Sequence, residues 1–214
     1  LIANRRNGTA ERKGDMAGKV NFFEVRAPSW EKTCYPPDVR ERLEALLPEF
    51  DVSRGERVLD VGTGPGILIP YLRRLVGSEG LVLAFDLAWA MTVEASKKCA
   101  PPRTAVVRAD VHALPCRSGA FDRVICFAAF PHFDDPPKAL AEMARALKPT
   151  GWLVIAHLLS RDELARHHAG HEDVRRDVLP GDAAMARLIA EAGLRLAYLE
   201  DAPGRYLLKA LKNP

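Results

Sequence analysis

The chain has 214 residues, 48% hydrophobic and 28% charged, with a formal net charge of +3. That length holds a sizeable core in one domain, and so weak a positive balance does not point to nucleic acid as a partner. No apolar run approaches the ~18 residues of a membrane span. Cys34, Cys99, Cys116 and Cys126 lie far apart with no CxxC pair, which fits reduced thiols and a cytoplasmic location.

The opening stretch, LIANRRNGTAERKGD, is polar and basic, with little apolar periodicity and no apolar leader core. Residues 1–21 are expected to form a flexible extension, with Met16 a candidate natural start. Residues 22–214 read as a single domain, in which residues 22–50 cover the site. Pro36 to Leu47 reads as a helix, with prolines at its start and Leu43, Leu46 and Leu47 on one face. ERVLDV is a short buried strand. A helix follows from about Gly66 to Val76, where Pro70 is tolerated in or near the first turn. LVLAFD is a second strand, Leu87 to Cys99 a helix, TAVVRAD a third strand and FDRVICFAAF a fourth. Pro136 and Pro137 open a helix to Leu147, with Leu140, Met143, Ala144 and Leu147 on one face, and GWLVIAHLL is the fifth strand.

Residues 160–192 read as a helical insertion near the acceptor side of the site. Ser160 and Glu163 have capping-box spacing, Asp182 is expected to cap a further helix with Met185, Leu188, Ile189 and Ala192 facing inward, and Gly193 ends it. LRLAYLED and RYLLKAL, joined across APG, read as a hairpin. Nearly continuous apolar strands alternating with helices indicate an α/β fold, a mostly parallel sheet with helices on both faces.

In such a sheet the ligand sits beyond the carboxyl ends of the strands. Three successive strands end there in an aspartate: Asp60, Asp86 and Asp110. The loop after the first strand, VLDVGTGPGILIP, spaces its glycines as GxGxG at Gly62, Gly64 and Gly66. A dinucleotide fingerprint needs a third glycine where Ile67 stands, and a phosphate loop needs a lysine that is absent. Asp60 at the loop mouth would repel a pyrophosphate and suits a cationic ligand. S-adenosylmethionine is such a ligand. Asp60 and the loop backbone would orient its aminocarboxypropyl end, Asp86 would accept from both ribose hydroxyls, and Asp110 from the adenine amine. A strand-terminal aspartate also has a plainer use, capping the element that follows.

The blocks VLDVGTGPG, AFDLAWAM, ADVHALP and FDRVICFAAFPHFDDPPKALAEMARALKPTGWLVI together resemble the class I S-adenosylmethionine-dependent methyltransferases, and most of all the branch with the ubiquinone/menaquinone C-methyltransferases. The resemblance covers Phe22 to Ile155. It implies a Rossmann-like seven-stranded sheet in the order 3-2-1-4-5-7-6 with strand 7 antiparallel, and it implies that Leu87 and Val111 flank the adenine. Thr63 and Phe127 complete the candidate cofactor set. Ala88-Trp89 replaces the branch's frequent Ser-Pro, and Thr150 stands where a glycine is usual.

On the acceptor side, no Asp/Asn-Pro-Pro-aromatic motif follows the fourth strand and no carboxylate cluster of a metal-dependent enzyme ends it. His132 and His157 fall at the ends of the fourth and fifth strands, and His167 shares a helical face with Leu164 and His168, with His171 one turn beyond. His132, His157 and His167 are therefore the candidate catalytic residues, as a base or, in the sharper alternative, a three-histidine metal site. The plainer alternative is strand-end packing and a solvated cover; no resident metal is assigned. Tyr35 is a candidate for closing the site above the sulfonium, near Trp30. Phe22, Phe23, Phe127, Phe130 and Phe133 suggest an apolar acceptor pocket. The expected function is methyl transfer to a small, apolar or aromatic metabolite, with S-adenosylhomocysteine as product and a homodimer left open. The alternative is a non-catalytic S-adenosylmethionine-binding sensor or interaction protein.

Overall fold

The computed structural model describes residues 7–213, with side chains from residue 18 onward; the first six residues of the expected extension lie outside the described part. Helix α1 (Asn7–Cys34) and α2 (Pro37–Leu46) precede the sheet. The expected boundary at residue 21 falls inside α1, which crosses it without a break. The alternating part then runs β1 (Arg57–Val61), α3 (Ile69–Val76), β2 (Leu81–Asp86), α4 (Trp89–Ser96), β3 (Thr104–Arg108), β4 (Phe121–Phe127), α5 (Pro136–Ala146) and β5 (Leu147–His157). Helices α6 (Arg161–Ala169) and α7 (Asp182–Glu191) lead into the hairpin β6 (Leu194–Ala202) and β7 (Arg205–Lys212).

The seven strands form one sheet in the order β3-β2-β1-β4-β5-β7-β6. Strands β1 to β5 pair in parallel, while β7 runs antiparallel to β5 and to β6. This is the expected fold. Alternate residues of the central strands supply the two faces. Phe121, Val124 and Cys126 of β4 join the core under α5 and α7, whereas Ile125 and Phe127 join the one under α2 and α3.

Several ends differ from the sequence reading. The helix expected from Gly66 begins at Ile69, because a turn occupies residues 64–68, and the one expected from Leu87 begins at Trp89. Asp182 is the first helical residue of α7 rather than its cap; Gly181 caps it, and Asp182 pairs with Arg161 across the gap to α6. The Ser160–Glu163 capping box is present on α6, and Glu163 also accepts the N–H of Gly204 at 2.7 Å, which ties α6 to the hairpin turn. Thr150 takes a left-handed φ of 62°, the conformation for which glycine is the easier residue.

Candidate active site

The cavity lies at the carboxyl ends of β1, β2 and β4, where the strand order reverses direction on either side of β1. Its enclosed volume is about 150 Å³, and it opens to solvent. Among the candidate cofactor residues, Tyr35, Asp60, Gly62, Thr63, Gly64, Asp86, Leu87, Asp110, Val111 and Phe127 all line it.

Gly66 does not line it. Its φ is +79°, and a Cβ there would come within 2.9 Å of the Cα of Ala95, so this glycine serves the packing of the loop against α4. Gly62 is similarly closed, 2.4 Å from the Cβ of Ala129, whereas a Cβ on Gly64 would meet nothing within 4 Å. The loop backbone is thus bare toward the cavity at Gly64 and fixed from behind at its two neighbours.

The three strand-end aspartates differ in what they hold. Asp60 is 1% exposed, and its one side-chain partner among the described residues is the hydroxyl of Thr63, which donates to it at 2.6 Å. Burial, reinforced by the nearby charge of Asp86, pushes its carboxyl up to about 7. Asp86 accepts the N–H groups of Gly64 at 2.8 Å and Ala88 at 2.9 Å, and burial still raises its carboxyl to about 6. Asp110 caps the short turn that follows it, taking the N–H of His112 at 2.9 Å and pairing with that ring at 2.6 Å. The plainer use of a strand-end aspartate therefore holds in part for Asp86 and Asp110. Each Asp86 oxygen keeps a second lone pair for a ligand, whereas both His112 contacts of Asp110 fall on Oδ1 and leave its Oδ2 for one.

The cavity is roofed by α1, which contributes Lys19, Val20, Phe23 and Trp30, with Tyr35 just beyond its end. Glu24 of α1 accepts the N–H groups of Trp89 and Ala90 at 2.6 and 2.7 Å, capping α4 and favouring its dipole. Glu31 pairs with Arg40 at 2.6 Å and Lys98 at 2.5 Å. Tyr35 packs against Phe127, ring centres 6.4 Å apart. Phe23 and Phe133 line the cavity, but Phe22 and Phe130 are buried behind it.

The histidine constellation is not the expected one. His132 lines the cavity. His157 is buried at the end of β5 without lining it; its Nε2 has no partner among the described residues, and burial, with His132 and His168 nearby, pushes it down to about 3. His167 faces solvent, and its neighbour His168 turns inward instead, its ring 4.9 Å from that of His132. The three expected histidines therefore do not converge, and among the described residues no cluster has the make-up of a metal site.

Around His132 stand residues that the sequence did not reveal. Asp177 takes the His132 Nδ1 at 2.7 Å and Lys19 Nζ at 2.9 Å. Lys19 also reaches Asp134 at 2.7 Å and the carbonyl of His132 at 3.3 Å. His168 Nδ1 meets the carbonyl of Asp177 at 2.6 Å. Burial would lower the Lys19 ammonium, but its two carboxylate partners outweigh that and hold it above its ordinary value. Burial would likewise raise Asp177, but the hydrogen bonds from His132 and Lys19 hold it low, and ionised.

Residues 59–155 match the family described as a methyltransferase domain. The chain is 32% identical to the ubiquinone/menaquinone biosynthesis C-methyltransferase UbiE of a Marinomonas strain, over 78% of this chain and 68% of that one. It is 29% identical to Methyltransferase GfsG of Streptomyces halstedii, over 74% of this chain and 59% of that one. A SAM dependent methyltransferase from Aquifex aeolicus superposes with a TM-score of 0.70 at 26% identity, over 86% of this chain and 97% of that one. The chain spans between 43% and 68% of the length of the eight curated relatives compared. The fold, the loop and these likenesses agree: the chain belongs to the class I S-adenosylmethionine-dependent methyltransferases.

Proposed function

We propose that this protein transfers the methyl group of S-adenosylmethionine to a small, apolar or aromatic molecule. The observation that carries the reading is Asp60: a carboxylate 1% exposed, on the cavity wall, with a hydroxyl and, among the described residues, no cation beside it. A cationic ligand is what such a group lacks. Asp60 would hold the aminocarboxypropyl end, Asp86 the ribose hydroxyls and Asp110 the adenine amine, with Leu87 and Val111 on the faces of the base. Tyr35 would close over the sulfonium. When bound, S-adenosylmethionine supplies an activated methyl group on a good leaving group, so the chain contributes proximity, orientation and exclusion of water.

The acceptor would enter beside Val20, Phe23, Trp30 and Phe133, an apolar and aromatic lining with His132 as its neighbouring proton acceptor. Of the expected catalytic histidines, His132 alone borders the cavity and keeps that role here. Residues 22–50 serve as cover and residues 160–192 as the outer wall of the acceptor side. The four free cysteines support a cytoplasmic location, and no described helix is long and apolar enough to cross a membrane. The test is to incubate the protein with S-adenosylmethionine and a panel of phenols, enols, aliphatic alcohols and amines, and to measure S-adenosylhomocysteine. Turnover with aromatic or enolic acceptors is expected. Tight cofactor binding with no turnover over the whole panel would favour a sensor instead.

A further inference from the structure

His132 sits on the 3₁₀ turn Phe130–His132 directly after β4, and the side chain that aims it comes from 45 residues further on. Asp177 is 7% exposed. One of its oxygens takes His132 Nδ1 and the other takes Lys19. A carboxylate held ionised can only accept, so Nδ1 is the nitrogen that carries the proton. Nε2 is then the ring nitrogen left free to accept a proton, and it has no partner among the described residues. We propose that Asp177 is the positioning residue of a base, His132, and that the acceptor of this enzyme is one that gives up a proton from oxygen or an acidic carbon as it is methylated. This rests on the reading of the cavity as a methyltransferase site.

The charges around the ring support the assignment. One cation, Lys19, faces two carboxylates, Asp134 and Asp177. The cluster therefore carries one net negative charge while His132 is neutral, and an imidazolium cancels it. The other rings that face His132 add no competing positive charge near neutral pH: burial lowers both His157 and His168. Phe23 stands edge-on to the ring at 5.0 Å and excludes water from that side. His168 holds the carbonyl of Asp177, which fixes the segment that carries the carboxylate. Lys19 gives α1 a second task. Besides roofing the cavity, it locks the carboxylate in place from above.

The proton step balances simply. The acceptor's X–H proton passes to His132 Nε2, the X–H electron pair forms the bond to the methyl carbon, and the C–S pair leaves on sulfur as a neutral thioether. The imidazolium later returns its proton to solvent. An acceptor that needs no base, such as a thioether or a tertiary amine, would make no use of this arrangement.

The test uses nitrogen-15 NMR of histidine-labelled protein saturated with S-adenosylhomocysteine, with His132→Gln to assign the signal. In the wild type the neutral ring should carry its proton on Nδ1. Asp177→Asn has one oxygen for two donors; with Lys19 taking it, the amide N–H group faces Nδ1 and should move the ring proton to Nε2. Lys19→Met leaves the carboxylate of Asp177 as the acceptor for the ring and should keep the proton on Nδ1. A wild-type proton on Nε2, or a tautomer unchanged in Asp177→Asn, overturns the proposal. Should Asp177→Asn fail to fold, the wild-type tautomer and its persistence in Lys19→Met decide it. Failure of S-adenosylhomocysteine to bind the wild type would instead overturn the cofactor reading, and the tautomer would still report on the Asp177–His132 pair.

Discussion

The carboxylate of Asp86 accepts the N–H of Gly64 at 2.8 Å, and so ties the end of β2 to the glycine loop that leaves β1. One side chain thereby shapes the loop and faces the cavity. Asp86→Ala should weaken S-adenosylhomocysteine binding by about 10- to 100-fold, the loss of one or two hydrogen bonds to a charged group. Asp86→Asn should fall between the two, because its carbonyl oxygen can keep one of the bonds. Calorimetric titration measures both, and an unchanged affinity in Asp86→Ala would remove its ribose role.

Asp60 and Asp86 are raised to about 7 and about 6, so both ionise within an accessible range. A cationic ligand binds the ionised form. Cofactor affinity should therefore rise as pH increases from 5 toward about 7.5 and level off above it, with protons released on binding near pH 6.5. Titration in buffers of differing ionisation enthalpy reads that release directly.

The same group links stability to pH with opposite sign. The folded-state value of Asp60 lies above its ordinary 3.8, so its favourable contribution to the ligand-free fold is full below 3.8 and is lost as pH rises through about 7. Asp60→Asn should therefore raise the melting temperature of the ligand-free protein at pH 8, by about 1–3 kcal/mol in stability, while weakening cofactor binding. His157 runs the other way. Its folded-state value, about 3, lies below its ordinary 6.5, so stability is full above 6.5 and is lost as pH falls toward 3. His157→Leu should flatten the acid limb of a melting-temperature profile.

Adjacent histidines on α6 should behave differently. His167 is exposed, and His167→Ala should change stability by less than ~0.5 kcal/mol. His168 is buried and bonds the Asp177 carbonyl at 2.6 Å, so His168→Ala should cost about 1–3 kcal/mol in denaturant unfolding.

Gly66→Ala combines a positive φ of 79° with a Cβ 2.9 Å from the backbone of Ala95, and should destabilise the protein by about 1–3 kcal/mol. Gly64→Ala has open space around its Cβ, so it should lose cofactor affinity more than stability. Melting temperature and affinity measured side by side separate the two.

The sheet and most of the cavity wall were legible because each rests on a local pattern. Apolar runs ending in Asp60, Asp86 and Asp110 mark where β1, β2 and β3 stop and the ligand side begins. The hairpin β6–β7 was legible from its turn. Orientation within a helical face was not: His167 and His168 share a face with Leu164 by spacing, but adjacent positions on α6 point about 100° apart, and His168 rather than the chosen His167 turns inward. Gly66 matched the loop spacing but faces Ala95, a distinction between ligand and packing that spacing does not carry. Lys19 and Asp177 were hidden for another reason. Each lies in a charged, weakly periodic stretch that reads as solvated surface, and only the fold brings them together across His132.

The central claim is that the cavity beside Asp60 is built for S-adenosylmethionine, and isothermal titration calorimetry of the wild type with S-adenosylhomocysteine tests it most directly. One site per chain is predicted, with proton release near pH 6.5 that is reduced in Asp60→Asn to the share of Asp86. Absence of binding heat with S-adenosylhomocysteine, accompanied by binding of NAD, would contradict it.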